Sequence, residues 1–128
     1  MGRVDSLRSA GTVYVVPRVL IFEPHDDIRA LFELVTRRLG YEPVAFGGAD
    51  TGPVDAAVIE PGEPGGMRLA MRMHAQGTPV IFASIYPADH ATQALHPSAH
   101  LVKPFPLYLL EHALHDAIEA PPQAAAAG

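Results

Sequence analysis

Short apolar runs alternate with amphipathic segments along this chain, a pattern typical of a parallel sheet covered by helices. Each run has the length of a buried strand, and a doubly wound α/β architecture with five strands follows from their number. The predicted strands are Arg18–Glu23, Tyr41–Phe46, Val54–Glu60, Pro79–Ser84 and His100–Lys103.

Helical spacing predicts amphipathic helices between these strands. The first follows the first strand: Asp26 and Asp27 are expected as its cap and first-turn acids, and Gly40 ends it. Its apolar positions are Ile28, Leu31, Phe32, Val35 and Leu39. Further helices are predicted over Gly66–Gln76, Asp89–Leu95 and Leu107–Glu119, the last with Leu110, Leu114 and Ile118 on one face.

Two connections are too short for full helices. The segment between Phe46 and Val54 is rich in Gly and Pro, which predicts at most a single turn where a second helix belongs. The fourth helix is also expected to be short, because Pro97 ends it. The second and fourth helices are therefore predicted to be shortened.

The 128 residues fit a single domain. Residues 1–17 are interpreted as an N-terminal arm and residues 18–120 as the domain. Residues 121–128 are Ala-rich and are expected to be a disordered tail. The longest apolar runs are strand-length and no signal-peptide segment follows Met1, so no membrane span is predicted.

Composition narrows the possible functions. The net charge is −5 and no Lys/Arg run is present, which argues against a nucleic-acid surface. The absence of cysteine excludes disulfides, thiolate metal sites and cysteine nucleophiles, and it fits a cytoplasmic location. Seven histidines leave a metal alternative open: His112 and His115 lie three residues apart on the last helix.

Four motifs, in order and at matching spacing, resemble the receiver domain of response regulators in two-component signalling. They are VLIFEPHDDIRALF at 19–32, VDAAVIE at 54–60 followed by a proline four residues after Glu60, TPVIFAS at 78–84, and HLVKPF at 100–105. The resemblance spans about residues 18–120 and implies a CheY-like, flavodoxin-like fold.

In that family, acidic residues at the strand ends hold Mg²⁺ beside an aspartate that accepts a phosphoryl group, and a lysine and a hydroxyl respond to it. Carried over by position, Glu23 is the first acid, but Pro24 replaces the second. Glu60 occupies the phosphoacceptor position, while Ser84 and Lys103 are retained. The resemblance thus implies a degenerate phosphorylation pocket with weak or absent Mg²⁺ binding.

Two further positions depart from the family pattern. Ile85 follows Ser84 where a small residue is usual, so it is expected to narrow access to the pocket. His100 takes the position of the switch aromatic residue. We expect Glu60 to form an ion pair with Lys103 that mimics the charge of a phosphorylated state.

These replacements favour a stand-alone, non-enzymatic module that acts by phosphorylation-independent protein binding. The resemblance implies a partner face on the fourth helix, fifth strand and fifth helix, about residues 90–117, which could also form a homodimer. Two alternatives stay open. One is a flavodoxin-like protein that binds FMN or a nucleotide at the strand ends. The other is a conventional response regulator that accepts phosphoryl on Glu60 or another acid.

Overall fold

The structure, a computed structural model, describes residues 15–47 and 52–119. Most of the predicted arm and all of the predicted disordered tail lie outside these residues. Residues 15–17, the described end of the arm, precede the first strand without regular structure.

All five predicted strands are present, each at or close to its predicted position. Glu23, Glu60 and Lys103 were predicted as the last residues of strands, but each lies just beyond its strand's end. The fifth strand also begins one residue earlier than predicted. The strands are β1 (Arg18–Phe22), β2 (Glu42–Ala45), β3 (Ala56–Ile59), β4 (Val80–Ser84) and β5 (Ala99–Val102).

The described residues contain four helices. They are α1 (Asp26–Arg38), α2 (Gly66–Ala75), α3 (His90–Gln93) and α4 (Leu107–Glu119). The predicted short fourth helix corresponds to α3, which has four residues, and the predicted fifth helix corresponds to α4. Among the described residues between β2 and β3, namely 46–47 and 52–55, there is no helix; the centre of the predicted second helix, residues 48–51, lies outside the described residues.

Two details of α1 differ from the sequence prediction. The capping residue is His25, in extended conformation, so Asp26 and Asp27 both lie in the first turn and neither is the cap. Leu31 was predicted on the apolar face but is 45% exposed. The apolar stripe of α1 is therefore narrower than the spacing predicted, because Phe32 and Val35 supply its buried centre.

The sheet is entirely parallel, in the order β2-β1-β3-β4-β5. Alternate side chains along a strand point to opposite faces. Val19 and Ile21 pack with Leu110 and Leu114 of α4 on one face. Leu20 packs with Leu69, Ala70 and Met73 of α2 on the other. The predicted doubly wound architecture is therefore confirmed.

Parallel strands place all their carboxyl ends at one edge of the sheet. In open α/β sheets this edge is where ligands and reacting groups are found. The residues that follow β1, β3 and β5 meet there, together with the last residue of β4. No helix within the described residues is both long and apolar enough to cross a bilayer.

Candidate functional site

The carboxyl edge of the sheet holds a cluster of three charged side chains. Glu23 follows β1, Glu60 follows β3 and Lys103 follows β5. The Lys103 Nζ lies 2.7 Å from the Glu23 Oε1 and 2.9 Å from the Glu60 Oε1. We call these three residues the ion cluster. The predicted Glu60–Lys103 ion pair is present, and the second pair, with Glu23, was not predicted.

The ion cluster is nearly removed from solvent. The exposed fractions of the side chains are 1% for Glu23, 11% for Glu60 and 10% for Lys103. Buried ion pairs need further hydrogen bonds to offset the loss of hydration. One ammonium shared by two carboxylates leaves a net negative charge, so the remaining carboxylate oxygens require donors.

Both remaining oxygens have such donors. The Glu23 Oε2 accepts from the His25 backbone N–H at 3.1 Å and lies 3.0 Å from the His25 Nδ1. The Glu60 Oε2 accepts from the Gly62 backbone N–H at 2.8 Å. All four oxygens of the two glutamates are therefore hydrogen-bonded within the chain.

These contacts change the acid–base properties of the cluster. Burial alone would raise the pKa of Glu23, but the hydrogen bonds from Lys103 and His25 outweigh it and lower that pKa below its ordinary value. Burial alone would lower the pKa of Lys103, but its bonds to Glu23 and Glu60 raise it. The cluster therefore favours one charge state, with Glu23 ionised and Lys103 protonated.

Local backbone contacts fix the two glutamates. The Arg29 guanidinium donates to the Glu23 carbonyl oxygen at 2.8 Å and also contacts the Asp26 carboxylate, which ties α1 to the end of β1. At the end of β3, the first residue of α2 approaches the backbone closely. A Cβ at Gly66 would lie 2.3 Å from the Glu60 carbonyl oxygen, so only glycine fits there.

Ser84, Ile85 and Tyr86 form the neighbouring part of the edge. Ser84 is buried, and its Oγ accepts from the Tyr86 backbone N–H at 3.1 Å. Ile85 and Tyr86 are 60% and 65% exposed. The Ser84 carbonyl oxygen accepts from the Lys103 backbone N–H at 2.7 Å, so Ser84 is joined to the ion cluster through its backbone. The predicted narrowing of the pocket by Ile85 stays a prediction.

His100 lies on β5 at the expected switch position. Its Nε2 is 2.9 Å from the Tyr86 carbonyl oxygen, and its ring packs against Phe82 with centroids 5.8 Å apart. Among the described residues, its Nδ1 is a buried side-chain atom whose hydrogen-bonding capacity is unmet, because it has no hydrogen-bond partner.

The contacts of the ion cluster can be compared with the requirements of a Mg²⁺ site. Mg²⁺ requires oxygen ligands in near-ideal octahedral geometry. Each carboxylate oxygen of Glu23 and Glu60 already accepts a hydrogen bond, and Pro24 supplies no carboxylate. The Lys103 ammonium lies between the two acids, where it provides the compensating positive charge.

The sequence leaves a metal site open at the histidine pair on α4. His112 and His115 line a shallow cavity with Leu39, Glu111 and Asp116. Among the described residues, however, no group of three or more His, Asp or Glu side chains is arranged to hold a metal ion.

No family model matches this chain, and no curated protein matches it in sequence. Solved structures do match its fold. A CheY-like response regulator receiver domain protein from Methanospirillum hungatei superposes with a TM-score of 0.72 at 16% identity, covering 89% of this chain and all of that one.

Two further structures agree. A signal receiver domain of two-component signal transduction from Clostridium thermocellum has a TM-score of 0.71 at 17% identity, covering 82% of this chain and 99% of that one. A sensor protein from a Polaromonas species has a TM-score of 0.68 at 24% identity, covering 80% and 96%. The strand order, the parallel sheet and these superpositions together show that the protein has the CheY-like fold of response-regulator receiver domains.

Proposed function

We propose that the protein is a pseudo-receiver: a non-enzymatic signalling module that binds a protein partner without being phosphorylated. The observation that carries this proposal is the ion cluster. Glu60 stands at the position of the phosphoacceptor, and its carboxylate is bound to Lys103 and to the Gly62 N–H. Whichever of its oxygens attacked a phosphodonor would first have to give up or weaken one of these contacts.

The second support is chemical. Phosphoryl transfer depends on accurate placement of nucleophile and metal, and an error of about 1 Å is already costly. Glu60 is one methylene longer than aspartate, and the site lacks a second metal-binding acid at Pro24. We therefore propose that Mg²⁺ binds weakly or not at all, and that the Glu60–Lys103 pair takes the role that a charged phosphoryl group has in a working receiver.

The third support is the surface next to the cluster. We define the partner face as α3, β5 and α4, residues 90–117. Within this face, Lys103, Glu111 and Asp116 are the only acidic or basic residues apart from histidines. Lys103 belongs to the ion cluster, and Glu111 is paired with Arg38 of α1. Depletion of charge is typical of the cores of protein interfaces.

Exposed apolar side chains accompany this lack of charge. Val102 on β5 is 43% exposed, and Ile85 and Tyr86 lie on the loop that His100 contacts. β5 is an edge strand of the sheet. The partner is therefore expected to present an apolar, weakly charged surface, and a second copy of the chain would satisfy that description. A cytoplasmic location and the lack of a nucleic-acid partner belong to the same proposal.

The test is affinity capture from the native host with the wild-type chain and two variants. Val102→Glu places a charge on the partner face. Met71→Glu is the matched control, because Met71 is also exposed, at 57%, but lies on α2, on the opposite face of the sheet from α4. Each capture is run with and without acetyl phosphate and Mg²⁺.

The expected result is a protein that the wild-type chain and Met71→Glu retain equally in both conditions and that Val102→Glu loses. Retention that requires acetyl phosphate would favour a conventional response regulator. Retention that survives Val102→Glu would remove the partner face from the proposal. An absorbance band of bound FMN in the purified protein would instead support the flavodoxin-like alternative.

A further inference from the structure

His100 joins the partner face to the loop that follows β4. Its imidazole is half-buried on β5, and its Nε2 lies 2.9 Å from the Tyr86 carbonyl oxygen. The Tyr86 backbone N–H in turn donates to the Ser84 Oγ. Tyr86 is therefore held at both backbone polar groups, by Ser84 on one side and by His100 on the other.

The partners of the ring define its tautomer. A carbonyl oxygen can only accept, so the Nε2 must carry a proton and donate it to Tyr86. In a neutral imidazole the other nitrogen is then an unprotonated acceptor. This Nδ1 is buried and has no partner among the described residues.

Protonation would convert the Nδ1 into a charged donor in the same buried position. An unpaired charge is far more costly to bury than an unpaired neutral acceptor. On one side of the ring is Phe82, which accepts no conventional hydrogen bond. The observed geometry therefore offers a protonated Nδ1 no acceptor among the described residues.

The ionisable groups around the ring do not relieve this cost. Asp89 lines the same cavity of about 120 Å³, but its Oδ1 accepts from Thr92 and it makes no ion pair with His100. Two further charged residues lie nearby: Glu60, which follows β3, and Lys103, which comes three residues after His100. Their side chains form an ion pair with each other. Tyr86, also at this cavity, meets the ring through its carbonyl oxygen.

We propose that His100 positions Tyr86 and Ile85 beside the partner face only while its ring is neutral, and that protonation releases this loop and weakens docking. The docking part rests on the proposed function, whereas the coupling between ring and loop is a property of the isolated chain. The other histidines of the partner face, His90, His96, His112 and His115, are all exposed.

The coupling can be measured by NMR on the ¹⁵N-labelled chain from about pH 8 to about pH 5.5, the range in which histidines titrate. The imidazole nitrogen shifts report the tautomer and protonation of His100, and the backbone amide shifts report the loop. We expect the Nε2–H tautomer at high pH, and amide shifts of Ile85 and Tyr86 that follow the protonation of His100.

Variants separate this effect from general pH effects. His100→Phe keeps a flat ring without a titrating nitrogen, and His100→Tyr serves if the first variant folds poorly. In both, the pH-dependent shifts of the Tyr86 amide should vanish. His96→Asn is the control: it removes an exposed imidazole at a residue with a φ of 48°, a conformation that asparagine tolerates, and should leave the shifts unchanged.

Three results would overturn the proposal: a His100 ring that stays neutral over the whole range, a ring that protonates while the Tyr86 amide does not move, or shifts that persist in both His100 variants. For a captured partner, retention should fall about tenfold across this range in the wild type and stay constant in His100→Phe. Constant retention in the wild type would remove the docking part alone. Capture that requires a phosphodonor would contradict the proposed function. The NMR experiment would still test the coupling between the His100 ring and the loop independently.

Discussion

The ion cluster and the His100–Tyr86 contact lie at the same edge of the sheet, yet they differ in how completely their polar groups are paired. In the ion cluster every carboxylate oxygen and the ammonium have partners within the chain. At His100 one ring nitrogen is buried without a partner, and the adjoining Ile85 and Tyr86 are largely exposed.

This difference separates a closed region from an open one. A fully paired buried cluster resists a new ligand, because any ligand must first break existing contacts. The His100 region differs, because one buried nitrogen lacks a hydrogen-bond partner and the exposed side chains of Ile85 and Tyr86 are available to contact another protein. Reactivity is therefore not expected at the position where a receiver reacts, whereas recognition is expected beside it.

The largest predicted effect comes from removing the shared cation. Lys103→Met leaves two buried carboxylates without a counter-charge, and breaking a buried pair in this way costs about 3–5 kcal/mol of unfolding free energy. Urea denaturation measures the loss. Arg38→Met is the matched control, because it removes the more exposed Arg38–Glu111 ion pair and should cost about 1 kcal/mol or less. Equal losses would contradict a closed ion cluster.

The two glutamates should differ in the size of their contribution. Glu23→Gln disturbs contacts to Lys103 and to both His25 donors, whereas Glu60→Gln disturbs contacts to Lys103 and Gly62. Glutamine keeps one accepting oxygen, so each variant should lose about 1.5–3 kcal/mol, the value of a charged hydrogen bond, with Glu23→Gln losing more than Glu60→Gln. The reverse order in urea denaturation would place the centre of the cluster at Glu60.

The pH dependence of stability should have an acid limb from Glu23. Its pKa in the folded chain is lowered from the usual 4.5, so its contribution is present above about pH 4.5 and is lost as pH falls through the folded pKa. Thermal unfolding between about pH 6 and pH 3 should show this loss, reduced in Glu23→Gln. An unchanged acid limb in that variant would assign acid sensitivity to other groups.

An alkaline limb should arise from Lys103 and Tyr41. The pKa of Lys103 is raised above 10.5, so its contribution is lost only as pH rises beyond that value. Burial, then the hydrogen bond to Glu119, raise the pKa of Tyr41 from 10.0 to about 12, so its contribution is lost between these values. The Tyr41→Phe variant lacks the tyrosine contribution, so the pH dependence of its unfolding free energy measures the contribution of Lys103.

The smallest predicted effect lies in the open region. Ser84→Ala removes the acceptor for the Tyr86 N–H, a neutral hydrogen bond worth about 0.5–1.5 kcal/mol. The free energy of local opening at Tyr86, measured by amide hydrogen exchange, should fall by more than the free energy of global unfolding, because Ile85 and Tyr86 are already exposed. A loss as large as that of Lys103→Met would mean that the two regions are not distinct.

The strands, the helices and the Glu60–Lys103 pair could be predicted because apolar spacing and motif order report them directly. The Glu23–Lys103 contact could not, because it joins residues 80 positions apart and depends on how the ends of β1 and β5 meet around β3. The Glu23–Lys103 contact could have been predicted by considering Lys103 as a possible partner of each acidic residue at a strand end. The exposure of Leu31 and the unpaired Nδ1 of His100 could not be predicted either. Both depend on tertiary packing, which the spacing of apolar residues along the sequence does not specify.

The most direct test of the closed ion cluster is the intact mass of the wild-type chain after incubation with acetyl phosphate and Mg²⁺. Because Glu60 is already bound to Lys103 and Gly62, the account predicts an unchanged mass. A stoichiometric increase of one phosphoryl group would contradict it, and peptide mapping would then identify the acid that reacted.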